Sequence, residues 1–347
     1  MKNKILSLTT LVAFVLVTAT SNVSARSWRI NNNESRRANF LDINAACASE
    51  EVMNGDTLYL DPGCSISSEQ TVTKRLTIIG TGYFLTNQPY AAASIAAKLN
   101  LNAAGIKVTG IIASNIYINA NNITVERCKA SAIYIGDNGN ESKYAQIRQC
   151  YCAYLRAKQI AEKYGFCTIE NCMIVGVSRD SEATYSIREL YSPTIRNNFI
   201  RCINEGNYVS GRTCMGRFSY GTITNNIICM VTENQHNRVF TSLTNCTVTN
   251  NLLSCDENAF PDYPNNVCLG THDITSIFTC TGANDRYYEM AEDSPAKAIE
   301  AGPFYGAHPY VFSGFPYGHP YYTSVNVSPR AKDGKIHFTI NSKLQDE

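Results

Sequence analysis

Six short segments of this chain repeat one another, and no other feature restricts its fold so tightly. They are Val125-Glu126-Arg127-Cys128-Lys129-Ala130, Ile147-Arg148-Gln149-Cys150-Tyr151-Cys152, Ile169-Glu170-Asn171-Cys172-Met173-Ile174, Ile195-Arg196-Asn197-Asn198-Phe199-Ile200, Ile223-Thr224-Asn225-Asn226-Ile227-Ile228 and Val248-Thr249-Asn250-Asn251-Leu252-Leu253. Their fourth positions are 128, 150, 172, 198, 226 and 251, so the steps are 22, 22, 26, 28 and 25 residues. Repeats of this length build solenoids, because one unit cannot bury its apolar face until a neighbour stacks on it.

Each column of the repeat has its own chemistry. The first is β-branched and apolar throughout, as a buried strand position wants. The sixth is apolar or small. The third and fourth are polar or Cys and become Asn-Asn in the last three units. Asn tolerates the left-handed backbone region and bonds to nearby backbone. Each unit therefore reads as strand, tight bend, strand. The second column runs Glu126, Arg148, Glu170, Arg196, Thr224, Thr249. Its alternating signs predict an outward ladder of stacked pairs, each contributing roughly 0.2–1 kcal/mol. Cys128, Cys150 and Cys172 occupy one column. Metal sites need ligands that converge on a point, whereas a ladder spreads them along an axis. The column is thus expected to be a buried, metal-free thiol stack, with a disulfide between neighbours as the alternative.

The ends carry other signals. Lys2 and Lys4, an apolar run over residues 5–19 and Val23-Ser24-Ala25 read as a secretory signal peptide over residues 1–25. A cap with a helix is expected over 26–55, with the helix from Asn39 to Met53 capped by Asn39. The solenoid is expected over 56–285, with about nine coils stacked about 4.8 Å apart. A cap and Pro/Tyr-rich tail over 286–347 is expected to pack on the far end. No later stretch is long and apolar enough for a membrane span. With 30 basic and 29 acidic residues the net charge is +1, so no basic field invites nucleic acid. The 14 Cys are too sparse for a disulfide scaffold, and the five His show no metal spacing.

The chain resembles the right-handed parallel β-helix proteins of the pectin-lyase-like superfamily, and within it exported β-helix proteins of Bacteroides-type bacteria. The resemblance rests on Ala38-Asn39-Phe40, Gly55-Asp56-Thr57-Leu58-Tyr59-Leu60, Leu76-Thr77-Ile78-Ile79-Gly80, the Asn-Asn repeats, Ser294-Pro295-Ala296 and Pro309-Tyr310-Val311-Phe312-Ser313-Gly314. It implies an all-β solenoid, located outside the cell or in the envelope. Many members of that superfamily cut or bind acidic polysaccharides and others are structural, so the resemblance is specific for fold alone.

Charged residues between the strands supply the candidate ligand face: Arg179, Asp180, Glu182, Arg188, Glu189, Glu205, Arg212 and Arg217, with Asp256-Glu257 nearby. Tyr185, Tyr191, Tyr208 and Tyr220 would be its aromatic platforms. Arg188 and Arg217 precede Ile195 and Ile223 by seven and six residues, which suggests that they are neighbours on one face. The first expectation is a monomeric exported protein that binds a polysaccharide along one solenoid face, without a cofactor. A polysaccharide lyase or glycoside hydrolase is the alternative, and only the lyase would bring in calcium. A structural or adhesive envelope protein is the third. Neither the lyase nor the paired-carboxylate hydrolase pattern maps onto particular residues.

Overall fold

The computed structural model describes residues 25–85, 91–178, 186–204, 213–231, 238–254, 265–270, 273–316, 320–327, 335 and 338–344. It is mostly β with little helix, and its two large sheets are parallel throughout, of ten and fourteen strands. Strands adjacent in a sheet come from successive coils, as in a solenoid.

The first column forms the inner edge of the ten-stranded sheet. Leu58, Ile78, Val108, Val125, Ile147, Ile169, Ile195, Ile223 and Val248 stand in one continuous register, and all are buried. The strands they occupy are short, such as Thr124–Glu126 and Thr168–Glu170. Each ends because the next residue turns left-handed. Arg127, Gln149, Asn171, Asn197, Asn225 and Asn250 all have φ between 51° and 59°. Asn adopts this region cheaply, whereas Arg127 and Gln149 must be held there.

The fourth column lies inside that corner and satisfies its backbone. Asn198 Nδ2 donates to the carbonyls of Arg196 in its own coil and Ile169 in the preceding one, at 2.9 Å each. It donates also to Asn226 Oδ1 at 2.9 Å. Asn226, Asn251 and Asn266 continue the chain of amides. Each Oδ1 accepts the backbone N–H one coil earlier. The thiols do the same work upstream. Cys150 Sγ donates to Arg148 O at 3.3 Å and Val125 O at 3.5 Å. Cys128 and Cys172 make the equivalent pairs. All three are buried free thiols, and burial pushes Cys128 and Cys150 well above the usual thiol range.

The N-terminal end is blocked by residues 38–48. The helix is shorter than the sequence suggests: it spans Ile43–Ala48, and Asp42, not Asn39, caps it by accepting from Ala45 N at 2.7 Å. Asn39 and Phe40 instead close the outer edge of the strand Ser27–Ile30. Their N–H groups donate to Arg29 O, and Phe40 O accepts from Asn31 N. An edge closed in this way cannot recruit another strand. Gln70 Oε1 receives the first helical N–H groups, and Lys74 Nζ donates to Ser49 O and Val52 O just beyond the helix.

Residues 294–316 of the expected C-terminal cap do not sit on the far end. They run back along the rod, antiparallel to the order of the coils, as a strap over the left-handed corner. Each third-column side chain donates to a strap carbonyl. Asn250 and Asn225 reach Ile299, Asn197 reaches Glu300, Asn171 reaches Pro303 and Tyr305, Gln149 reaches Pro309, and Arg127 reaches Phe315. Gly110 is closely covered, since a Cβ there would lie 2.5 Å from Pro316. The fifth column, Tyr151, Met173, Phe199, Ile227 and Leu252, faces outward in register and packs in a second core with Ile277, Phe278, Tyr288, Ala296 and Tyr310. The charge ladder is covered in part, at Glu170, while Arg196 stays exposed. Glu126 pairs with Arg148 at 3.0 Å and Glu170 with Arg196 at 2.6 Å. His308 of the strap bridges the two pairs, with Nε2 3.0 Å from Arg148 Nη1 and 3.7 Å from Glu170. Glu170 is therefore buried rather than solvated. Beyond the strap, Pro320–Val327 and Phe338–Leu344 pair as an antiparallel hairpin.

The strap is locked to the first coils by a buried polar chain. Asp285 accepts from Ser313 N at 2.6 Å and from Tyr310 OH at 3.1 Å, and Tyr310 OH meets Tyr83 OH at 2.6 Å. Burial raises the Asp285 pKa above its ordinary 3.8, against the pull of these donors.

Two outcomes follow for stability. Asn226→Ala should cost about 3 kcal/mol in chemical denaturation, because it leaves buried donors and carbonyls unpaired. Asn226→Cys should cost less, since a thiol serves the same two carbonyls upstream. Equal costs would show that the amide chain, not the carbonyl contacts, carries the corner. For Asp285, the folded pKa lies above the unfolded one. Its contribution is thus complete below pH 3.8 and is lost as pH rises through the folded value. The stability of wild type relative to Asp285→Asn should fall between those limits, read from melts at a series of pH values; a flat difference contradicts this.

Candidate functional site

From Ser94 to Ala157 the second half of each coil is one strand, such as Lys129–Ile135 and Tyr151–Ala157. Beyond it the strand divides. Tyr151 then pairs with Met173 while Leu155 pairs with Ile187, and insertions separate the halves. Arg179, Asp180, Glu182, Glu205 and Arg212, with Tyr185 and Tyr208, fall in those insertions and lie outside the described residues, as do Asp256 and Glu257.

Arg188, Glu189 and Arg217 are described, and Arg188 and Arg217 are not paired in register. Arg188 stands opposite Gly216 and, on the other side, Arg156. Arg217 instead pairs with Glu189 at 2.8 Å, and both residues are left-handed, with φ of 61° and 64°. The one-residue difference in their spacing before Ile195 and Ile223 decides this, because a shift of one residue changes the neighbour. Arg217 is thus engaged by a carboxylate. Tyr191 and Tyr220 do meet, at 5.5 Å between ring centroids.

The register places another group where the sequence showed none. Asn100, Tyr117, Tyr134, Arg156 and Arg188 form one outward column across five coils. Tyr117 stacks on Tyr134 at 4.7 Å and 15°. Lys98 Nζ lies 5.4 Å from the centre of the Tyr117 ring, and the Arg156 guanidinium 5.0 Å from that of Tyr134. The result is a cation–ring–ring–cation stack along the rod, an arrangement attractive at every contact. Tyr154 joins from the neighbouring column, edge-on to Tyr134 with the two hydroxyls hydrogen-bonded. Arg156 Nε–H is buried and has no hydrogen-bond partner among the described residues.

This geometry limits the chemistry. The faces of Tyr117 and Tyr134 are covered by each other and by cations, so the row presents edges, hydroxyls and N–H groups. Burial, then the Tyr154 hydroxyl, pushes the Tyr134 phenol well above its usual range, and burial raises Tyr117. Both stay protonated donors. The row is therefore an array of donors with two or three positive charges, suited to an extended anionic ligand with many oxygen acceptors. The signal was available in sequence: Ile116-Tyr117-Ile118, Ile133-Tyr134-Ile135 and Leu155-Arg156-Ala157 place a polar residue between two inward apolar ones.

Among the described residues no three His, Cys, Asp or Glu side chains converge as a metal would need, and no helix is long and apolar enough to cross a membrane. No protein-family model, no curated protein and no solved structure matches this chain.

Proposed function

We propose that the chain is an exported right-handed parallel β-helix protein of the pectin-lyase-like kind that binds an acidic polysaccharide along one solenoid face. The supporting observation is the outward row Lys98, Tyr117, Tyr134, Arg156, with Tyr154 beside it and Arg188 in register. A glycan lying along the rod meets one of these side chains per coil. Its carboxylates or sulfates take the cations, and its hydroxyls and ring oxygens take the phenols. Binding is favoured over hydrolysis because the members of the row are cations and phenol donors, without the pair of carboxylates that a glycoside hydrolase needs. No cofactor enters this reading.

Affinity for polygalacturonate, glucuronoxylan and chondroitin sulfate, with product formation read in the same assays, tests it. Wild type should bind at least one of them, more weakly as salt is raised, and chelation of calcium should leave binding unchanged. Tyr134→Ala with Arg156→Ala should weaken binding at least about tenfold, whereas Arg217→Ala, already paired with Glu189, should change it little. Unsaturated or shortened products that disappear in the double variant would assign a lyase or hydrolase instead. Absence of both binding and turnover would favour a structural envelope protein.

A further inference from the structure

A second exposed row lies on a different corner, where the chain enters the ten-stranded sheet. Gly105, Asn122, Tyr144, Phe166, Ser192, Tyr220 and Asn245 each stand two residues before a strand of that sheet. Each has positive φ, between 46° and 75°. Each but the last is shown donating its N–H to a carbonyl of the next coil. The corner therefore requires a left-handed residue, and in its outer coils it uses Gly and Asn, which adopt that region readily. In the middle coils it carries Tyr144, Phe166 and Tyr220, for which it is unfavourable.

The rings form a continuous ladder. Tyr144 stacks on Phe166 at 5.5 Å, Phe166 meets Tyr191 at 5.7 Å, and Tyr191 meets Tyr220 at 5.5 Å. Tyr144 and Tyr220 are 52% and 55% exposed, so the ladder is not a covered core. Backbone strain carried by exposed aromatic side chains, where the same column elsewhere uses Asn, marks a surface kept for contact.

The charges beside the ladder name the kind of partner. Lys143 sits 3.5 Å from both Glu141 and Glu162, and Arg217, in the strand leading to Tyr220, is paired with Glu189. With both cations paired and one carboxylate left in excess, the stripe offers ring surface and phenol hydroxyls at one ring per coil and little to attract an anionic ligand. A pyranose chain has that complement: apolar C–H faces to bury against rings, and hydroxyl edges that stay hydrated or bond to phenols. We propose that this corner is a second glycan-binding surface, which takes an uncharged polysaccharide lying along the rod. It is independent of the acidic-glycan row in both residues and chemistry.

The test uses the full mature chain and Asn, the residue that this column already holds at 122 and 245. Retention on insoluble cellulose, mannan and β-1,3-glucan is measured at high salt for wild type, Tyr144→Asn, Tyr220→Asn and the double variant. Wild type should be retained by at least one of them, and the double variant about tenfold less. The double variant's melting temperature should be unchanged or higher, and its binding to acidic glycans intact. Tyr134→Ala with Arg156→Ala should leave retention unchanged, which separates the two surfaces. No retention of wild type on any neutral polysaccharide overturns the proposal, as does equal retention of the double variant. A sharp drop in melting temperature in the double variant, with both kinds of binding lost, would assign the rings to packing and also overturn it. So would wild-type self-association that the double variant abolishes.

Discussion

The left-handed corner is the constraint on which the rest of the structure depends. A strand of three residues ends there in every coil of the repeat, and the turn leaves backbone carbonyls aimed into the interior, away from water. An unpaired buried carbonyl is costly, so every coil needs a small inward donor at the fourth column. Asn supplies an amide and Cys a thiol, and both reach the same two carbonyls. Once that inward position is fixed, the third-column side chain must point outward. The same corner therefore sets the interior ladder and the row of donors that holds the strap.

The strap changes the meaning of the sheet it covers. A parallel sheet buried on both faces reads as continuous apolar sequence, and Met173-Ile174, Phe199-Ile200, Ile227-Ile228 and Leu252-Leu253 are of that kind. The outward member of each pair packs against the return segment rather than water. Both surfaces offered for ligands lie elsewhere, on the second half of the coil and on the corner leading into the ten-stranded sheet.

Much of this was legible in the sequence, for identifiable reasons. The stacked first column, the left-handed third and the inward fourth follow from residue types at a fixed spacing. The direction of the tail was not legible. Side-chain-to-carbonyl bonds such as Gln149 to Pro309, 160 residues apart, leave no local pattern at either end. The consecutive apolar pairs did announce a cover on that side. The cation–ring stack was legible only in part: the triplets around Tyr117, Tyr134 and Arg156 mark each as outward, but steps of 19, 17 and 22 positions from Lys98 to Arg156 do not show that the four side chains stack on one another. Arg217 read as available because sequence spacing alone could not show the Glu189 carboxylate beside it.

A linear array of coils has only neighbour-to-neighbour contacts and unzips from whichever end is weaker. Here the buried contact between Tyr83 and Tyr310 joins residues 227 positions apart, and that between Arg127 and Phe315 joins residues 188 apart. The last coil cannot peel away without dragging on coils near the start of the rod. The chain behaves as a closed loop and not as an open spring. It should lose its structure in one event instead of fraying, and it cannot complete folding until its own C-terminal segment has emerged and found the start of the rod.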